Sequence, residues 1–580
     1  MKKARRIAAM IAAMAMAATM AVPAMSFSAG AATAEENGNS ITVTNKDKAT
    51  HTYAAYQIFK GNFTGETLND ITWGDGVDGD AILAALHDAS GAEGNALYGL
   101  FPAETVTSAR GVAEVLGSKT TGDSPTAVFA DDSEKTQAFA AIVGANLEAQ
   151  TSGVVNENTI SALPDGYYLI MDTAAPVNPD ANNDSLGDNP NSGAKTRFIV
   201  KVAGGANQPI NVDAKHSAPT VDKQVQDEAA DRDPNADTDG WGETADHAIN
   251  ESFQFKLTAT LEADANYGAY KTYKIQFNDT LSDGVTYEDI VSVKVNGTTI
   301  DLYNADSNPN GYKLTEPTVP ATELGGGNLT ITIDDIKKFD ADLTDDATTI
   351  EVIYSAHLNA NAAVEKASQD SVLADYNNVN KVNLEYSNNP NAGGEGEMGT
   401  TPDDYVWVFT YEVDNIKVDE KGDPLPNAGS KLYNASNAEI SLIYDADLGA
   451  YRPTASGETA EEMKSGHGEA AGSETGKFNI VGLDAGAYTL KETTVPDGYN
   501  KCEDIQITIS ATHKENEDTI TAALNLNSTN IDNEIENKKG STLPSTGGIG
   551  TLMFVLCGGV AAGIAGVYLV SKKKTREEEV

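Results

Sequence analysis

Short runs of alternating apolar and polar residues recur along this chain and restrict it to folds made of β-sheets with one buried face. Ser40-Ile41-Thr42-Val43-Thr44, Phe253-Gln254-Phe255-Lys256-Leu257-Thr258, Leu329-Thr330-Ile331-Thr332-Ile333 and Ile505-Gln506-Ile507-Thr508-Ile509 are examples. Successive side chains of a strand point to opposite faces, so each run has one side for a core and one for water. Runs this short, set between turn residues, have the rhythm of β-sandwiches. The stretch from 35 to 212 departs from it. There 80–87, 108–116 and 133–143 carry apolar residues at helical spacing. The expected fold class is mainly β, as tandem β-sandwich domains with helical insertions in the N-terminal one.

Such a chain needs something to hold its sheets together outside the cell, and its ends point there. Met1-Lys2-Lys3-Ala4-Arg5-Arg6 precedes an apolar run to about Val22, and small residues follow through Ala34. This is the order of a secretory signal, with cleavage expected between Ala29 and Ala34. At the other end stand Leu543-Pro544-Ser545-Thr546-Gly547, an apolar segment at about 549–570, and a basic tail from Lys572 to Arg576. The segment has the length of a membrane-spanning helix and the tail the charge of a cytoplasmic flank. A membrane anchor explains the last two parts but not the L-P-S-T-G before them. The three together resemble a cell-wall sorting signal, which implies transient membrane anchoring and then attachment to peptidoglycan by a sortase.

Of the two cysteines, Cys557 lies in the apolar segment, leaving Cys502 in the exported part and no internal disulfide. The 86 acidic and 40 basic residues, a formal charge of −46, repel nucleic acid and anionic lipid. Nucleic acid is therefore not an expected partner.

The residues between the ends suffice for three or four domains. We expect a signal peptide at 1–34, an N-terminal domain at 35–216, a second domain at 217–392, a third at 393–539 and the sorting signal at 540–580. The tract Asn388-Asn389-Pro390-Asn391-Ala392-Gly393-Gly394 reads as a linker or long loop, and 538–542 as a flexible tether for the sorting motif.

Several motifs within these limits resemble the major (backbone) pilins of Gram-positive bacteria, built from tandem immunoglobulin-like domains of the collagen-adhesin A and B types. Val212-Asp213-Ala214-Lys215 stands where that family has its pilin motif, although Asp213-Ala214 replace the aromatic-Pro that often precede the lysine. Pro219 to Val225, Phe277-Asn278-Asp279-Thr280-Leu281 and Asn380 to Pro390 resemble the first, acid-bearing and last strands of the second domain. Ile416-Lys417-Val418-Asp419 and Tyr488-Thr489-Leu490-Lys491-Glu492-Thr493, the latter like an E-box, resemble strands of the third.

The resemblance implies self-formed Lys–Asn isopeptide bonds. A buried lysine loses its charge and a buried acid beside it gains a proton. The neutral amine can then attack a carboxamide held in contact, because such positioning supplies effective molarities of about 10⁵ M or more. Lys223 and Asn380, with Asp279 as promoting acid, are the candidates in the second domain. Lys417 and Asn537, with Glu492, are those in the third, Asn533 being the substitute for Asn537. The resemblance further implies polymerisation, in which the acyl group of Thr546 is passed to Lys215 of another copy, with Lys201 and Lys223 as the other candidate nucleophiles. The function implied is a structural shaft that supports adhesion, with sortase, other copies and peptidoglycan as partners, and a host matrix or glycan ligand as a further candidate. A monomeric wall-anchored adhesin is the alternative.

Other chemistry finds little support. Asn235, Asp237, Asp239 and Asp246 approximate a calcium loop, but no helical pattern flanks them and an acidic surface loop is the better account of them. Seven scattered histidines form no zinc motif, and no phosphate-binding loop or nucleophile elbow is present. No cofactor is expected. A surface glycosidase would need a pair of carboxylates in a cleft, and no motif marks one.

Overall fold

The computed structural model describes residues 39–540, apart from 46–49, 66, 89–96, 122–125, 131–132, 150–151, 155–158, 175–193, 204–209, 215–217, 228–239, 265–266, 269, 320–323, 341–342, 344–345, 367–370, 374–377, 391–396, 468–472, 517–520 and 527, and also describes Val560. The signal peptide expected at 1–34, Lys215, the L-P-S-T-G motif and nearly all of the apolar segment at 549–570 lie outside the described residues. Among the described residues no helix is long and apolar enough to cross a membrane.

The protein is mainly β, in several sheets, with buried residues gathered into separate cores. At the N-terminal end, Tyr53–Thr64, Gly166–Asp172 and Arg197–Val202 form the body of a five-stranded sheet. The helices Gly79–His87, Ala109–Leu116 and Glu134–Ala145 supply side chains to its core. Each begins at an oxygen-bearing cap: Asp78, Ser108 and Ser133 accept from the backbone N–H of Ala81, Gly111 and Thr136. That satisfies one otherwise orphaned donor at each start.

A two-sheet sandwich follows. One sheet contains Thr220–Gln226, Ser252–Leu261, Thr348–Leu358 and Val285–Val295 in that order. The facing sheet contains Asp404–Phe409, Val379–Ser387, Ile275–Leu281 and Gly327–Ile333. A second sandwich is built from Tyr411–Asp419, Asp532–Asn537, Ile480–Leu483 and Ala450–Pro453 on one side, and Gly429–Asn434, Gly486–Thr494 and Ile505–Ile509 on the other.

The join between these sandwiches differs from the expectation of a boundary after residue 392. Asp404–Phe409 pairs with Val379–Ser387, with Val379 opposite Trp407 and Val382 opposite Asp404. The first sandwich therefore extends to Phe409. The strand is also shared: Val406 and Val408 enter one core, while Tyr405, Trp407 and Phe409 enter the next. A strand buried on both faces reads as an unbroken apolar run rather than an alternation. Gly482, at φ +77°, lets the backbones meet here. Its carbonyl accepts from Ile249 N–H, and a Cβ at this position would sit 2.4 Å from Ile249 Cδ1.

Candidate functional site

Two polar clusters lie inside otherwise apolar cores. In the first sandwich, strand alternation sets Phe277, Asp279 and Leu281 on one inward face and Asn380, Val382 and Leu384 on the inward face of its neighbour. The opposite sheet contributes Lys223 from Thr220–Gln226 and Tyr354 from Thr348–Leu358. Lys223, Asp279, Asn380 and Tyr354 are all fully buried.

Lys223 Nζ pairs with Asp279 Oδ2 and lies 4.9 Å above the Phe255 ring. The Tyr354 hydroxyl is the hub. It accepts from Lys223 Nζ at 3.2 Å and from Asn380 Nδ2 at 2.6 Å, and donates to Asp279 Oδ1 at 3.1 Å. Asn380 Oδ1 is buried with no hydrogen-bond partner among the described residues. Burial pushes the lysine below its ordinary value, with Asp279 opposing, and pushes the Asp279 carboxyl up, with Lys223 opposing. Both directions favour a neutral amine beside a neutral acid.

The second sandwich holds the other cluster in a different arrangement. Tyr411–Asp419 and Asp532–Asn537 are parallel neighbours, with Lys417 opposite Ile535 and Asp419 opposite Asn537. Glu492 reaches in from the facing sheet, and its Oε1 accepts from both Lys417 Nζ and Asn537 Nδ2 at 2.9 Å. Cys502 adds a backbone N–H to Glu492 Oε2 at 2.9 Å, and its Sγ lies 3.1 Å from Lys417 Nζ. Asn537 Oδ1, like that of Asn380, is buried without a hydrogen-bond partner among the described residues. Asn533 is elsewhere, donating to Asn415 Oδ1 and the Asn530 carbonyl. The arrangement brings Asn537, not Asn533, against the acid.

The candidates for intermolecular attack are separated by exposure. Lys223 is sealed in the core, and Lys201 is half-buried with its Nζ 5.2 Å over the Phe63 ring. Lys215 is outside the described residues, but exposed Asp213 and buried Ala214 lead to it, the latter donating its N–H to the Thr44 carbonyl. The expected flexible tether begins later than 538. Asn500 N–H donates to the Lys538 carbonyl and Gly540 N–H to the Gly498 carbonyl, so 538–540 are held by backbone bonds.

Of the calcium-loop candidates, Asn235, Asp237 and Asp239 lie outside the described residues. Asp246 is buried at the join of the sandwiches, where its Oδ2 accepts from the Tyr411 hydroxyl at 2.6 Å. Tyr354 and Cys502 were not among the expected site residues. The signal for Tyr354 was its core phase in Ile350-x-Val352-x-Tyr354-x-Ala356, where a hydroxyl needs a polar partner.

Comparison with known proteins agrees with the C-terminal end and the third unit. Residues 412–524 match the SpaA family, a prealbumin-like fold domain, and 535–577 match the LPXTG cell wall anchor motif. The chain is 25% identical over 411 residues to the trypsin-resistant surface T6 protein of Streptococcus pyogenes serotype M6, covering 62% of this chain and 70% of that one. Among solved structures, the T6 backbone pilin of the same serotype aligns at 15% identity over 88% of this chain and all of that one, with a TM-score of 0.49. The major pilin SpaD of Corynebacterium diphtheriae aligns at 15% identity over 87% of this chain and 98% of that one, with a TM-score of 0.42. The anchor motif makes sortase and the peptidoglycan wall this chain's partners. This chain is a cell-wall-anchored surface protein, mainly β in build, with a SpaA-type module next to its LPXTG anchor, and it is similar to the backbone pilins of Gram-positive bacteria.

Proposed function

We propose that this chain is the backbone subunit of a covalent surface pilus, each copy strengthened by two internal isopeptide bonds, Lys223–Asn380 and Lys417–Asn537. The observation that carries this reading is the pair of buried Lys–acid–Asn sets on one LPXTG-anchored chain that has no disulfide. In each, Lys Nζ bonds to the Asn side-chain carbon, the C–Nδ2 bond breaks and ammonia leaves. Asp279 and Glu492 are the acids that move the protons. The protein is a structural subunit and turns over no substrate.

Polymerisation follows from the sorting motif. The sortase thiolate attacks the Thr546 carbonyl, the Thr546–Gly547 bond breaks, and the ε-amine of Lys215 on the next copy takes the acyl group. The domains that carry this are the N-terminal one ending near 216, the sandwich to Phe409 and the sandwich to 539. In the same reading the shaft supports adhesion by holding a tip away from the wall or by touching a host matrix or glycan ligand.

The test is a denaturing gel of wall extracts from the native cell. A high-mass ladder should appear and collapse to single subunits on Lys215→Ala; a ladder that survives this change overturns polymerisation through that lysine. The intact mass of the mature chain should fall short by two ammonia molecules, and a full calculated mass removes both internal bonds.

A further inference from the structure

We propose that Tyr354 is a second catalytic residue, beside Asp279, of the first sandwich's isopeptide reaction, a hydroxyl that relays a proton from Asp279 to the departing ammonia. This rests on the Lys223–Asn380 bond proposed above and names a group which that scheme lacks. The reason is geometric. In the second sandwich a single carboxylate oxygen, Glu492 Oε1, touches both the attacking amine and the leaving nitrogen at 2.9 Å. Glutamate can span that gap directly. In the first sandwich the acid is the shorter aspartate, its Oδ2 engages Lys223, and what stands 2.6 Å from Asn380 Nδ2 is the Tyr354 hydroxyl. That hydroxyl is in turn 3.1 Å from Asp279 Oδ1. The Asp279 carboxyl also engages the Asn380 side chain, so the hydroxyl, 2.6 Å from Nδ2, is a second route from the acid to the leaving nitrogen.

The protons balance through this path. As Lys223 Nζ bonds to the Asn380 side-chain carbon, one Nζ proton goes to Asp279 Oδ2. As the leaving nitrogen becomes tetrahedral and gains a lone pair, the Tyr354 hydroxyl turns its proton from Oδ1 to Nδ2 and passes it there, while the acid's original proton leaves Oδ1 for the Tyr354 oxygen. The C–Nδ2 bond then breaks and ammonia departs with three hydrogens. Nζ keeps one as the new amide N–H, and Asp279 and Tyr354 end as they began. The phenol is held neutral: burial pushes Tyr354 well above its ordinary value, with the Asp279 charge adding to the shift. Both protons therefore move together, without a phenolate. Its Lys223 contact at 3.2 Å also holds the amine within the cluster. No other hydroxyl bonds to Asn380 Nδ2 among the described residues.

The experiment follows both branched peptides by mass spectrometry during cell-free synthesis of the full mature chain, so that the second sandwich serves as an internal control. Tyr354→Phe should slow appearance of the Lys223–Asn380 peptide by about 100-fold or more, the scale of a general acid–base contribution. The Lys417–Asn537 peptide should form at its normal rate. The solvent deuterium isotope effect on the first bond should be smaller in the variant, a change that a mere packing role does not produce. Equal rates in wild type and variant, or an unchanged isotope effect, overturn the relay. Should Tyr354→Phe not fold, uniform 3-fluorotyrosine labelling keeps the shape and makes the phenol a stronger acid. The first bond should then form several-fold faster and the second at its normal rate, and no change overturns the proposal. Absence of the first branched peptide from the wild type would instead sink the bond itself.

Discussion

The two buried clusters share a lysine, an acid and an asparagine but tie different things together. Lys223 stands in one sheet of the first sandwich and Asn380 in the other, so a bond between them crosses the core. Lys417 and Asn537 lie on parallel neighbouring strands of one sheet, so their bond joins the opening and closing strands of the second sandwich edge to edge. In the proposed scheme the first bond resists separation of sheets and the second resists sliding of strands. The difference also sets the chemistry. Across a core, the aspartate shares its contacts to both partners with a tyrosine from the lysine's sheet; within one sheet, one oxygen of a longer acid from the opposite face touches both partners. The same three residue types thus serve two mechanical tasks, and the helper groups follow from where the strands run.

The strongest way to break this comparison is to remove each acid in turn. Asp279→Ala should abolish the Lys223–Asn380 bond and leave the other intact, and Glu492→Ala should do the reverse. In each case the mature chain gains back one ammonia in intact mass. Each change also leaves a buried lysine without its acid, for which about 3–5 kcal/mol of destabilisation is expected by thermal or denaturant unfolding. Loss of both bonds in either variant would show that the clusters are not independent.

Trp407→Ala tests whether the sandwiches are mechanically joined. Trp407 is fully buried in the second core on a strand whose hydrogen bonds belong to the first. A cost of about 3–5 kcal/mol is expected, seen in the unfolding of both sandwiches. Destabilisation confined to the second would separate them.

A smaller, pH-dependent effect belongs to the same join. The Asp484 carboxyl is pushed up to about 11, first by burial and then by the nearby Asp246, Glu251 and Asp227 carboxylates. Folding thus takes up a proton that the unfolded chain releases near its ordinary value of 3.8. The stability of the join should be greatest below that value and decline as pH rises toward about 11. Melting curves between about pH 5 and 9 should show this slope, and Asp484→Asn should flatten it. A slope that survives the substitution assigns it to another group.

The smallest effect is expected at Cys502. Its thiol is pushed up by burial, with Lys417 opposing, which keeps it a neutral neighbour of the second cluster. Cys502→Ser should leave the Lys417–Asn537 bond forming and shift stability by about 1 kcal/mol or less, because the backbone N–H contact to Glu492 remains and a hydroxyl can replace the thiol's own contact. Loss of the bond in that variant would make the thiol a working part of the cluster.

Much of this is legible in the sequence. Asp279, Asn380, Lys417 and Glu492 stand in motifs that resemble strands of the backbone pilins, and the sorting motif, charge and cysteine count need no fold. Tyr354 was hidden because a tyrosine in core phase reads as packing, and its hydroxyl acquires a task only when a strand from the other sheet lies across it. The extent of the first sandwich was hidden for a related reason. The Asn- and Gly-rich tract before Met398 reads as a linker, whereas Asp404–Phe409 returns to pair with the strand before that tract.

The sequence by itself determined the periodic burial of each strand, the sorting motif at the C-terminal end and the chemical types available in the cores, because these depend on side-chain identity and local spacing. Only the tertiary structure decided that Asn537 rather than Asn533 meets the acid, that Lys223 is closed to solvent and that one strand serves two cores. Those outcomes depend on strand register and on contacts between residues far apart in the chain, where a shift of one residue turns every side chain to the opposite face.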